Sequence, residues 1–233
     1  MSRRKSRDLS RTLPKREAYK MVLIVCEGTK TETIYFNSLI AYEKLSSVNV
    51  QVFAGERSTP SMVVKTAIKI KEAQNKHLAF DEVYCVIDRD SHHSFEEAKQ
   101  LANKNNITLI VSYPNIEYWY LCHFIYSRAP IIEKGGKSAG DNCEAVLNKE
   151  WKKIFNKAYS KTEKDTYILL LPHLENGIKN AKRSLQEAIK EEEYNPSTEV
   201  HLLVDNLRKL KSCSDPLNQQ SLIGFFAKTG GNP

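Results

Sequence analysis

The chain has 233 residues, a hydrophobic fraction of 41% and a formal net charge of +7, so it has enough apolar content for a real core and is not globally disordered. No apolar run approaches the ~20 residues that cross a bilayer, and the basic N-terminus lacks the apolar stretch of a secretory signal. A cytoplasmic protein with no membrane association is the expectation.

The charge is concentrated at one end. Residues 1–20 carry eight Lys/Arg (Arg3, Arg4, Lys5, Arg7, Arg11, Lys15, Arg16 and Lys20) against Asp8 and Glu17. One reading is a basic arm, with the first seven of these on nucleic-acid phosphates. The other is a solvated, frayed terminus.

Strand and helix signals then alternate. MVLIVC (21–26) is a continuous apolar run, as a buried parallel strand requires. A helix is predicted over 30–44, with Ile34, Phe36, Leu39 and Ile40 on its apolar face. NVQVF (49–53) reads as a strand, and a helix starts at Pro60 and runs to about His77. EVYCVID (82–88) is a second apolar strand. A helix at 94–105, a strand at 107–112 and an aromatic-rich helix at 115–126 complete the series. That order predicts an α/β fold: a mostly parallel four-stranded sheet flanked by helices.

The character changes near Arg128. Residues 129–142 read as a glycine-broken loop, and 143–212 as charged helices interrupted at 172–177 and 195–198, with Ser197 or Thr198 an N-cap. We therefore divide the chain into a basic arm (1–20), an α/β domain (21–127), a helical extension packed on the sheet (128–212) and a loose tail (213–233). Five cysteines (Cys26, Cys85, Cys122, Cys143 and Cys213) make no CxxC pair. This fits a reducing compartment and argues against structural zinc.

Acids recur where strands end. Glu27 follows the first strand, Asp88 and Asp90 end the 82–88 strand as D-x-D, and Glu117 lies just past the 107–112 strand. Ligands of parallel sheets bind beyond the carboxyl ends of the strands, so the four should share one rim. Two unit charges 4 Å apart repel by about 4 kcal/mol at an effective dielectric near 20, and a cation offsets that. Oxygen ligands without nearby Cys or His favour Mg²⁺, with Mn²⁺ as substitute. Such a site suits phosphodiester hydrolysis. A D-x-D alone is common by chance, and each acid has a bland reading as a helix cap or surface charge.

The segments IVCEGTKTETIYFNSL, VIDRD, SYPNIEYWYLCHF and NPSTEVHLLVDNL together resemble the RloB-like family of Toprim-domain proteins, associated with bacterial anti-phage defence. The resemblance covers most of residues 1–210 and departs at Tyr113, where the family often has Asn before the proline. It implies a Toprim-like fold and a Mg²⁺-dependent nuclease. Glu27, Asp88, Asp90 and Glu117 fall on the family's acidic positions as metal ligands and catalytic groups, and Lys30 becomes an electrostatic stabiliser. RNA, tRNA included, is the first substrate expected and DNA the second. A protein partner from the defence system is also implied, while the oligomeric state stays open.

The remaining candidates have plainer readings. Glu32 reads as a favourable first-turn charge, with a supporting acid behind the site as the alternative. Arg89 should point away from the two aspartates, which leaves a phosphate contact or a structural salt bridge as its readings. His92, His93, His123, His173 and His201 read as loop, packing or helix-end residues, and Lys149 to Lys164 as solvated faces. Tyr113, Tyr118, Trp119, Tyr120, Phe124 and Tyr126 read mainly as core, with base stacking the alternative. The rival function is a non-catalytic module that binds nucleic acid or a protein. A phosphotransfer module is disfavoured because Glu27 stands where a phospho-accepting aspartate is needed.

Overall fold

The computed structural model describes residues 20–45, 50–54, 59–74, 79–89 and 94–214. The arm at 1–19, Asp90, His92, His93 and the tail from 215 lie outside them.

The first strand, β1 (Val22–Cys26), is buried at every position, because both faces of the sheet are covered there. It runs parallel to β2 (Val50–Ala54) and to β3 (Glu82–Asp88). Alternation sends Val22, Ile24 and Cys26 into one core and Leu23 and Val25 into another, which is why the run carries no polar residue. Helix α1 (Thr31–Tyr42) covers the first face with Tyr35, Phe36 and Leu39. Helices α2 (Pro60–Gln74) and α3 (Phe95–Lys104) cover the second through Val63, Val64, Ala98 and Ala102. Strand β4 (Thr108–Tyr113) pairs parallel to β3.

The sheet has five strands where the sequence predicted four, in the order β2-β1-β3-β4-β5. The fifth, β5 (Ser197–Thr198), lies antiparallel to β4, with Ser112 opposite Thr198. Two residues carry no periodicity to detect. The pairing is fixed instead by a buried 2.8 Å bond between the Ser112 and Thr198 hydroxyls. Glu199 continues it, because its backbone N–H donates to the Val111 carbonyl at 2.9 Å while its carboxylate accepts from the Val111 N–H at 2.9 Å.

After the short helix α4 (Glu117–Cys122) come α5 (Ala139–Phe155), α6 (Thr166–Leu170), a 3-10 turn (Leu171–His173), α7 (Leu174–Glu191) and α8 (Val200–Ser214). The break expected at 172–177 is largely helical, since the turn leads straight into α7. Helix α5 starts inside the predicted loop because Ser138 and Asp141 form a capping box. Trp151, Tyr167, Leu174, Val200 and Leu203 from these helices share the core with Val22 and Ile24 of β1. The extension thus covers one face of the sheet.

All six residues of α4 are buried. Trp119 donates to the Tyr35 hydroxyl at 3.0 Å and Tyr118 to the Ser127 carbonyl at 2.8 Å. Just beyond, the His123 ring packs against Gly177 of α7, where an added Cβ would sit 2.9 Å from three ring atoms. His123 Nδ1 lies 2.9 Å from the Trp119 carbonyl, which makes it the donor, and Nε2 has no partner among the described residues. Burial lowers its pKa from 6.5 to about 4.

That depression has a definite sign. Below its ordinary pKa the unfolded chain takes up a proton that the folded ring refuses until about pH 4. Stability attributable to His123 therefore falls with pH across that window, by about 3 kcal/mol in total. Urea unfolding of wild type and His123→Leu at pH 7 and pH 4.5 should show the wild-type advantage shrinking at the lower pH. An advantage that stays constant would contradict this.

Candidate functional site

Parallel register places the acids. Cys26 lies opposite Val86 and Asp88 opposite Ser112. The ladder continues one step past β1, where the Glu27 N–H donates to the Val86 carbonyl at 3.0 Å. The Glu27 carboxylate then accepts the Asp88 backbone N–H at 3.1 Å, so these two acids meet at the seam between β1 and β3. Glu117 opens α4 and is buried. Asp88 accepts a backbone hydrogen bond from Ile116, which ties the end of β3 to the start of α4. The three described members of the predicted quartet thus share the rim.

A fourth described acid joins them. Glu32 is only 5% exposed, and its carboxylate folds back over the turn that leaves β1. A Cβ on Gly28 would sit 2.1 Å from Glu32 Oε2, so any side chain there would evict the carboxylate. Glu32 is a first-turn acid that also lines the site, so the alternative reading of it is the one the geometry fits. The signal was in EGTKTE, because a helix starting at Thr31 turns its first residues back toward the strand end, and the glycine leaves room.

Glu32, Asp88 and Glu117 line a cavity of about 240 Å³ with Lys30, Asn115 and Lys161. Burial raises the Asp88 pKa well above its ordinary value, and the charges of Glu32, Glu117 and Glu27 raise it further. Burial likewise raises Glu32 from 4.5 to about 7, with Glu117 and Glu27 adding to it. Glu117 is raised by burial but eased by Lys161. Asp88 Oδ1 is enclosed and has no hydrogen-bond partner among the described residues.

Partial neutralisation comes from the connection between α5 and α6. Tyr159 donates to Glu117 Oε1 at 3.2 Å. Lys161 Nζ stands 3.7 Å from the same oxygen and 3.1 Å from Glu144. Sequence reasoning placed Lys161 on a solvated face. Nothing local marks it, since it reaches Glu117 from 44 positions further along the chain.

Lys30 lines the cavity mouth and is exposed. Asp90 and the basic residues Arg3 to Arg16 fall outside the described residues. His123 and His201 are buried, and neither lines the cavity. Cys26, whose pKa burial and Glu32 push well up, is a neutral thiol beneath the site. Of the predicted aromatic cluster, Tyr118, Trp119 and Tyr120 are core.

An all-oxygen donor set, an unpartnered buried carboxylate oxygen and acids that repel one another fit a hard divalent cation. Among the described residues, no three His, Cys, Asp or Glu side chains close tightly enough around one point to hold an ion as they stand. Among the same residues, no helix is long and apolar enough to cross a membrane.

A protein-family model described as RloB-like protein matches residues 22–207. That span takes in every described acid of the site. Searches of curated proteins and of solved structures returned no match.

The raised Glu32 pKa predicts a pH-dependent stability difference. A carboxyl whose folded pKa is raised contributes stability below its ordinary 4.5, and this is lost as pH rises through about 7. In EDTA, Glu32→Gln should therefore gain on wild type between pH 4.5 and pH 8, by on the order of 3 kcal/mol. Denaturant melts at the two pH values measure it, and a difference that is flat or reversed would refute the repulsive cluster.

Proposed function

We propose that this chain, which belongs to the RloB-like protein family, is a metal-dependent nuclease with a Toprim-like site. The observation that carries the reading is Asp88, which has an enclosed oxygen without a hydrogen-bond partner among the described residues and lines a cavity with Glu32 and Glu117 at the carboxyl ends of parallel strands. Acids after the first and third strands fit the Toprim pattern, and phage defence is the setting that the resemblance implies.

Glu27, Asp88, Glu117 and Asp90 would hold Mg²⁺ or Mn²⁺, with Glu32 as a further oxygen donor. The ion would supply Lewis acidity and charge neutralisation at a phosphodiester. Lys30 at the cavity mouth presents a cation to the approaching phosphate, helped by the first turn of α1. Lys161 holds a second positive charge beside Glu117, so a phosphate entering the cavity meets ammonium groups as well as acids. Tyr159 fixes the orientation of Glu117 through its hydroxyl. RNA, tRNA included, is the substrate we place first, ahead of DNA.

A second reading also has support. Lys161 already pairs with Glu117, and the described acids do not converge on one point, as suits a non-catalytic module that binds nucleic acid or a defence-system protein.

Purified protein incubated with total RNA, single-stranded DNA or plasmid in Mg²⁺, Mn²⁺ or EDTA separates the two. We expect metal-dependent cleavage that falls about a hundredfold or more in Asp88→Asn and in Glu117→Gln. Nucleic acid bound but uncleaved under every metal would favour the binding module.

A further inference from the structure

Alternation along β3 turns consecutive residues to opposite faces. Val86 lies in the core under α1, while Cys85 and Ile87 lie in the core under α2 and α3. Asp88 therefore joins the carboxylate cavity, and Arg89 projects to the other face. There a second cavity, of about 550 Å³, runs along β4 between α3 and the segment 185–199. That volume falls within the roughly 300–1,000 Å³ of small-molecule sites. Its floor is Leu109 and Val111, half-buried apolar residues.

Arg89 stands at the head of this cleft, ringed by aromatic groups. Its guanidinium carbon is 4.7 Å from the Phe95 ring centre, 5.5 Å from Tyr194 and 5.6 Å from Tyr113. Its backbone N–H donates to the Ser112 carbonyl at 2.7 Å, which fixes the residue to the sheet. Three rings around one guanidinium make a cationic, aromatic surface, the kind on which unpaired bases stack. Asn103 and Thr108 also line the cleft and offer hydrogen-bonding groups, as base edges require. A peptide strand is disfavoured, because β5 and Glu199 already occupy the edge of β4 at this end.

We propose that this cleft holds an unpaired nucleobase of the strand whose phosphodiester lies at the carboxylate rim, with Tyr113 and Tyr194 stacking the base and Arg89 facing its ring. Asp88 and Arg89 are neighbours, with Cα atoms about 3.8 Å apart. The two cavities therefore meet the same end of β3 from opposite faces of the sheet. A base inside a duplex cannot enter, so the substrate class is single-stranded or looped-out nucleic acid. What lies at the rim rests on the nuclease reading, whereas the base-binding cleft does not.

Binding in EDTA tests the cleft apart from cleavage. Full-length protein is titrated with a short labelled single strand, with the same backbone carrying abasic sites, and with a blunt duplex. Wild type should bind the base-bearing strand about tenfold or more tighter than the abasic one. Tyr194→Ala and Arg89→Gln should abolish that preference while keeping the abasic affinity, and Asp88→Asn should retain it. Arg89→Lys, which keeps the charge and loses the planar stack, serves if either variant melts early. Equal affinity for the two strands in wild type would overturn the proposal, as would variants that keep the preference or weaken both strands alike. A base preference without cleavage under any metal sinks the nuclease reading alone, and cleavage without base preference sinks the cleft alone.

Discussion

The repulsion among the buried acids governs the rest of this structure. Parallel register brings Glu27 and Asp88 to the same rim, and the first turns of α1 and α4 add Glu32 and Glu117. Burial and mutual charge raise the pKa of Asp88 and Glu32 together. A fold gains nothing from such an arrangement on its own, since apolar residues at those positions would pack without the electrostatic cost. Strain of this kind, concentrated at the carboxyl end of a sheet, points to a site kept for its chemistry.

The helical part of the chain belongs to that site as well as to the scaffold. Trp151 and Tyr167 complete the core under α1, and between them the chain delivers Tyr159 and Lys161 to Glu117. The same packing fixes α4, whose fully buried turn sets the angle at which Glu117 enters the cavity. Cutting the chain near residue 128 would therefore remove both a large part of one core and the lysine that tempers the acids.

Much of this was legible in the sequence wherever one physical rule dominated. The runs at 22–26 and 82–88 have a single explanation, strands buried on both faces, and the acids that follow them had to fall at one edge. Where long-range contact decides, the sequence was silent. Strand β5 exists because Ser112 and Thr198 bond across 86 positions, and two residues show no pattern. Lys161 looks like its neighbouring lysines until α5 and α6 are placed. Glu32 looked like a routine helix-start charge, although Gly28 marked the space its carboxylate needs. The aromatic cluster divided for the same reason. Helix α4 is enclosed by α5 and α7, whereas Tyr113 sits one residue past the Asp88–Ser112 pair, on the face where Arg89 projects.

The central claim is that the acid cluster is a divalent-cation site. Anomalous diffraction from crystals of the full chain grown with Mn²⁺ tests it most directly. A peak bounded by the carboxylates of Asp88, Glu117 and Glu27 is expected, with the Asp88 oxygen that has no partner among the described residues now facing the ion. No peak, with Lys161 still paired to Glu117 and the acids unmoved, would contradict it.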